Sequence, residues 1–227
     1  MYVFRKSVLW AGAVVFAAVL ALCFGLASYS SARASAPVPF TVVLDAGHGG
    51  VDPGVLGVNT GTKESDINLA IVKLLEEYFS EAGFRVVLTR KNEGGLYGLP
   101  TPGYKRRDME KRRDVILKNE PTAVISVHQN NFVSDRTRRG GQVFFRDGDA
   151  AGTALAHSVQ DRLNGLCGKE LSPLRGDYYM LNCSAYPSVI VECGFLSNAQ
   201  DEALLVTQEY RQKVARAIFE GTLAWLS

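Results

Sequence analysis

The 227-residue sequence predicts a single α/β domain with a mostly parallel sheet flanked by helices, preceded by an N-terminal membrane span. Three observations carry this expectation. Short apolar runs rich in β-branched residues recur at 40–44, 84–89, 123–127 and 188–191, which suits strands buried on both faces. A segment with helical spacing separates the first two runs, and strand, helix, strand in this length makes a right-handed crossover to a parallel neighbour. Ahead of the domain lies an uncharged stretch, 7–31.

That stretch follows Arg5 and Lys6, and its residues 8–27 are apolar over membrane-span length, about 20 residues, against the ~7–15 of a cleavable leader's core. Ala32, Arg33 and Ala34 form an AxA-like site, so a cleaved signal segment is the alternative. Positive residues before the span and a large domain after it place that domain outside the cytoplasm, either membrane-anchored or secreted. Residues 1–36 are therefore read as anchor or signal segment with linker, and 37–227 as the globular domain.

Within the domain, strand 40–44 leads into a glycine-rich loop, 49–63, whose Asp52, Pro53, Gly54, Gly57, Asn59 and Gly61 are turn formers. Ile67, Ile71, Leu74, Leu75, Tyr78 and Phe79 then mark a helix that Gly83 stops. Strand 84–89 is followed by a loop at 91–103 and a helix at 104–119. In that helix Arg106, Arg107, Lys111, Arg112 and Arg113 are interleaved with Asp108, Glu110 and Asp114, and surface pairing is the plain reading; binding of an anionic polymer would ask for less compensated charge. Residues 142–146 read as a further strand and 150–166 as a helix around Leu155, Val159 and Leu163. An irregular stretch, 168–184, precedes strand 188–191, and helices at 198–205 and 209–226 close the chain.

Composition narrows the function classes. Without residues 1–36 the domain has 22 basic and 23 acidic side chains, which argues against a nucleic-acid partner. Cys167, Cys183 and Cys193 form no CxxC pair, so a cysteine zinc site is not expected; Cys167 with Cys183 is one disulfide option, three free thiols the other.

Two of the three histidines end apolar runs: His48 stands among glycines just past the first strand, and His128 closes the run 123–127. In an open α/β sheet ligands sit beyond the carboxyl ends of the strands, where these two can meet, and Glu64 at a helix start can join them. Two histidines and a carboxylate with one position left open are a catalytic zinc set, structural zinc sites being closed and commonly cysteine-rich. Singly, each histidine is more simply a hydrogen-bonded polar group. Glu192 directly follows Val189, Ile190 and Val191, where a carboxylate needs a partner: a buried salt bridge, or a water on the metal. His157, midway along a helix, is left out of the site.

The segments LDAGHGGVDPG, Glu64 ahead of a helix, ISVHQNN and VIVECGFLSN, in this order and spacing, resemble the zinc-dependent N-acetylmuramoyl-L-alanine amidases of bacterial peptidoglycan, and the resemblance covers residues 40–227. It implies His48, Glu64 and His128 as ligands of Zn2+, Glu192 as the catalytic residue, and a glycan-peptide substrate. Ser65 stands where lysine is frequent in that family and Gln129 where alanine is, neither being a ligand position. Asn130, Asn131 and Arg139, in the segment after His128, are candidate substrate contacts, an exposed polar loop being the alternative. A short anchored form without a wall-binding repeat resembles the amidases of spore cortex, and equally fits growth or separation enzymes. A zinc carboxypeptidase of wall peptides, an inactive wall-binding module and an extracytoplasmic scaffold are the rivals. No residue pattern identifies an activating protein partner.

Overall fold

The computed structural model describes residues 15–21 and 40–227. Residues 15–21 are helical and belong to a unit, Met1–Val38, distinct from the unit Pro39–Ser227. Among the described residues no helix is long and apolar enough to cross a membrane. Apart from 15–21, the span expected at 8–27 lies outside the described residues.

Six strands form one sheet in the second unit: β1 (Thr41–Ala46), β2 (Arg85–Leu88), β3 (Ala123–Asn130), β4 (Gln142–Phe145), β5 (Leu174–Arg175) and β6 (Ser188–Phe195), in the order β2-β1-β3-β6-β4-β5. The first four in that order are parallel, Val42 pairing with Val86 and Ala123, and Ile125 with Val189. β4 runs antiparallel to β6, with β5 parallel to β4. The sheet is mostly parallel, as expected, four of its five pairings running so, and the antiparallel β4–β6 pairing makes it mixed. A parallel neighbour needs a crossover of a dozen or more residues, usually a helix, and the segment between β3 and β4 has no helix to carry the chain back.

Six helices follow in chain order: α1 (Glu64–Glu81), α2 (Tyr104–Asn119), α3 (Ala150–Cys167), α4 (Tyr179–Asn182), α5 (Ala199–Leu205) and α6 (Gln208–Leu226). Ile67, Ile71, Leu75 and Phe79, spaced by four, give α1 a buried stripe. Side chains start three of the others, where Asp149 accepts from the Gly152 amide, Asn198 from Gln200 and Asp201, and Thr207 from Tyr210.

The alternation of strand side chains sorts two cores. Val42, Leu44, Ile125, Val127, Val189, Val191 and Cys193 face the large core beneath α1, α3 and α6. On the other face Val43, Val124 and Ile190 meet Ile116 of α2 and Met180 and Leu181 of α4. Asp45, Ser126, His128 and Glu192 share the parity of this thinner face, which opens the site toward α2 and α4. Cys193 is buried on the opposite face, and Cys167, Cys183 and Cys193 are all free thiols.

Two expected strand ends move. β3 continues past His128 to Asn130 and β6 past Glu192 to Phe195, with a register shift between His128 and Asn130. Glu192 therefore lies inside its strand rather than at its end. Arg112 is a larger correction: the expected surface residue is fully buried, on the same helical stripe as Met109 and Ile116.

Candidate metal centre

Three elements deliver the three candidate ligands. His48 follows β1 with φ 62°, a left-handed conformation that turns its ring back over the strand ends. Glu64 opens α1 and is buried, and His128 projects from β3. One ligand atom from each lies within 4.8 Å of the others. Glu64 Oε1 is 3.3 Å from His48 Nε2 and 2.9 Å from His128 Nδ1, and the two imidazoles stand edge to face at 5.0 Å.

The surroundings fix each group. Asp52 Oδ2 lies 3.1 Å from His48 Nδ1, which sets the tautomer that leaves Nε2 free for a metal. Although burial disfavours its charge, the hydrogen bonds to Glu64 and Asp52 raise His48 to about 9. Burial pushes Glu64 up, but hydrogen bonds from His128 and His48 outweigh it and hold the carboxyl well below the usual carboxylate range. The Val55 amide donates to Glu64 Oε2 at 2.9 Å, and the Gln129 amide and Asn68 Nδ2 donate to Oε1 at 3.1 and 3.3 Å. Two glycines are required here. A Cβ on Gly47 would collide with the His128 ring, and one on Gly54, at φ 67°, with the Glu64 carboxylate.

Glu192 pairs in register with His128 on the neighbouring strand. Its Oε2 is buried and has no hydrogen-bond partner. Burial pushes the carboxyl up to about 7, with Glu64 adding to the rise and His128 opposing it. This orphaned oxygen and the imidazole–carboxylate–imidazole donor set together fit a zinc ion with an open position.

Two adjoining cavities meet at the triad. One, about 470 Å³, is walled by Val55, Gln129, Tyr178, Tyr179, Ile190 and Glu192. The other, about 230 Å³, runs toward Asp45, Tyr104, Asp108 and Arg112. His48, Asp52, Lys105, Met109, His128 and Met180 line both. The expected site residues thus separate into two sets. His48, Glu64, His128 and Glu192 come together, whereas Asn130, Asn131 and Arg139 line neither cavity. Asn130 Oδ1 accepts from the Asn131 amide, and Arg139 points into a separate groove, bonded to Gln200 Oε1 at 2.5 Å and 3.7 Å from Asp201. They stand apart because β3 runs on beyond His128 and carries the following loop away.

Several site residues escaped the sequence reading. Asp52 had a signal, an acid four residues after His48 inside the same loop. Arg112 had one as well, its spacing from Met109 and Ile116. Asn68, which donates to both Gly47 O and Glu64 Oε1, and Arg90 had none. At the two departures from the family pattern the main chain makes the contacts: the Gln129 amide donates to Glu64 Oε1, and the Ser65 carbonyl accepts from Arg90 Nη2 at 2.7 Å.

Residues 42–224 match the family described as N-acetylmuramoyl-L-alanine amidase. The chain is 32% identical over 192 residues to the germination-specific N-acetylmuramoyl-L-alanine amidase of Bacillus subtilis, an alignment covering 82% of this chain and 79% of that one. Among solved structures, the CwlD amidase from Clostridioides difficile in complex with the GerS lipoprotein superposes with a TM-score of 0.78 at 33% identity, covering 82% and 98% of the two chains. The amidase AmiC2 of Nostoc punctiforme superposes with a TM-score of 0.71 at 29% identity, covering 82% and 97%.

Proposed function

Since the chain belongs to the N-acetylmuramoyl-L-alanine amidase family, we propose that it is a zinc-dependent peptidoglycan hydrolase cleaving the amide between N-acetylmuramic acid and the L-alanine of the stem peptide. One observation carries the reading: His48, Glu64 and His128 converge on one point at a cavity floor where Glu192 presents an unpartnered oxygen.

His48 Nε2, Glu64 Oε1 and His128 Nδ1 would hold the ion. Zinc, when bound, supplies a Lewis acid that polarises the scissile carbonyl and lowers the pKa of water. Glu192 acts as general base, taking a proton from the attacking water on its free Oε2 and returning it to the departing amine of L-alanine. A carboxyl raised to about 7 is matched to that exchange near neutral pH. Asp52 keeps His48 in the ligating tautomer, and Tyr178, Tyr179, Met109 and Met180 give the cavity walls an amphipathic surface for a glycan-peptide.

The germination-specific relative and the CwlD amidase support spore cortex as the wall material, and the latter's complex supports a lipoprotein as partner. We place the domain outside the cytoplasm, anchored by residues 8–27. Mass spectrometry of purified peptidoglycan after digestion is the test. Free stem peptides headed by L-alanine, with chelator abolishing and zinc restoring their release, are the expected products. Release of a terminal amino acid would make the enzyme a carboxypeptidase instead, and intact wall would remove the hydrolytic reading.

A further inference from the structure

We propose that Arg90 and Arg112 are positioning residues for the metal triad, two buried guanidinium groups that clamp the carbonyls of Ala46, Gly47 and His48 and so set where His48 Nε2 stands. The inference rests on the zinc reading above.

Both arginines are almost fully buried, at 2% and 1% exposure. Arg112 donates from Nη1 to Ala46 O at 2.7 Å and from Nη2 to His48 O at 2.6 Å. Arg90 donates from Nε to Ala46 O at 2.8 Å and from Nη2 to Gly47 O at 3.0 Å. Three consecutive carbonyls are thereby turned inward onto two cations. This is the backbone that must hold His48 at φ 62°, a conformation disfavoured for a residue with a Cβ. Arg90 Nη2 also donates to Ser65 O, so a single guanidinium ties the first ligand's turn to the helix start that carries Glu64. Asn68 repeats the tie, donating to Gly47 O and accepting from Gln129 beside His128.

The clamp is itself held. Asp45 Oδ1 meets Arg112 Nη1 at 2.6 Å, and Asp108 Oδ2 meets Arg112 Nε at 2.6 Å. Burial and then the adjacent Arg112 charge pull Arg90 down to about 10, against the opposing charges of Asp45, Asp108 and Asp66. Apolar residues of similar volume commonly fill such a space at no loss of stability. What they cannot do is fix three carbonyl directions at once, and neither can a lysine, whose compact ammonium lacks the planar fork.

Zinc affinity of the full chain, titrated against a competing chelator, separates a positioning role from a purely structural one. Arg112→Lys should bind zinc about tenfold or more weakly and shift the visible spectrum of the cobalt-loaded protein, because the ligand geometry is loosened. Leu163→Ala, a core change in α3, should lower the unfolding temperature without altering either readout. A folded Arg112→Lys with zinc affinity within about twofold of wild type and an unchanged cobalt spectrum overturns the clamp. Should Arg112→Lys not fold, Arg90→Lys and Asp108→Asn are read by the same two criteria, the latter keeping shape and an acceptor while removing the charge that holds Arg112 Nε. A wild-type chain that binds no zinc overturns the zinc reading and the clamp with it, a result distinct from a variant that binds as tightly as wild type.

Discussion

Glu64 and Glu192 face one pocket in opposite states. Glu64 is surrounded by donors and held ionised, whereas Glu192 Oε2 has none and its carboxyl is pushed up to about 7. Their isosteric amides should therefore fail differently. Glu192→Gln is expected to retain zinc and lose turnover by about 10²-fold or more, and Glu64→Gln to lose zinc affinity, with activity partly returning at high zinc. Zinc content and rate measured on both variants decide it; an empty Glu192→Gln site beside a metallated, inactive Glu64→Gln would reverse the roles. Asp45 is one of the buried carboxylates whose ionised form the fold favours. Burial pushes its carboxyl up, but the Arg112 charge and the hydroxyls of Ser126 and Thr89 bring it from 3.8 down to about 2. A carboxyl lowered on folding stabilises above its unfolded pKa, and that contribution, about 2 kcal/mol, is lost as pH falls through about 2. Asp45→Asn should lower stability at pH 7 by about 2–4 kcal/mol, since it also leaves Arg112 without its anion, and the gap from wild type should narrow below about pH 3 in urea titrations.

The loop before α1 is pinned at its far end rather than free. Glu202 of α5 accepts from the amides of Asn59 and Thr60 and from the Thr60 hydroxyl, each at 2.8 Å, and the Val58 amide bonds to Leu196 O. The loop's tip is fastened from 142 residues away in sequence, although glycines and turn formers fill the loop. Glu202→Ala should raise hydrogen exchange at Asn59 and Thr60 by about tenfold or more while the β3 amides stay protected. Equal protection of both amides in the variant would show that the loop holds itself. The α1 stripe ends on Phe79, whose ring meets Phe84 at 5.2 Å and Phe219 at 5.0 Å, both edge to face. Phe79→Ala should cost about 3–5 kcal/mol in denaturant unfolding, because three elements lose one packing centre.

At the scale of the molecule the two faces of the sheet divide the labour. The thick face beneath α1, α3 and α6 carries the large core, and the thin face under α2 and α4 carries Asp45, Arg112, His128 and Glu192. Stability resides mainly in the first, so the unit Pro39–Ser227 should fold by itself. A chain truncated to 39–227 is expected to unfold cooperatively at the temperature of the full chain and to keep its hydrolysis, while only the full chain sediments with membranes. A full chain that stays in the soluble fraction would remove the anchor at 8–27.

What the sequence determined by itself was local: apolar β-branched runs made strands, period-four stripes made helices, and Asp149, Asn198 and Thr207 capped them, since each signal is written within a few residues of its effect. The candidate ligands His48, Glu64 and His128, which the fold brings together, could be picked out for the same reason, each standing where a run of one periodicity begins or breaks off. Tertiary structure alone decided the rest. It made β4 antiparallel, sent Asn130, Asn131 and Arg139 away from the cavities, and buried Arg112 while Arg113 beside it stayed only half-buried. The physical reason is that a charge run reads alike whether a side chain meets water or a carboxylate 67 residues distant, and only the fold that brings Asp45 to Arg112 tells the two apart.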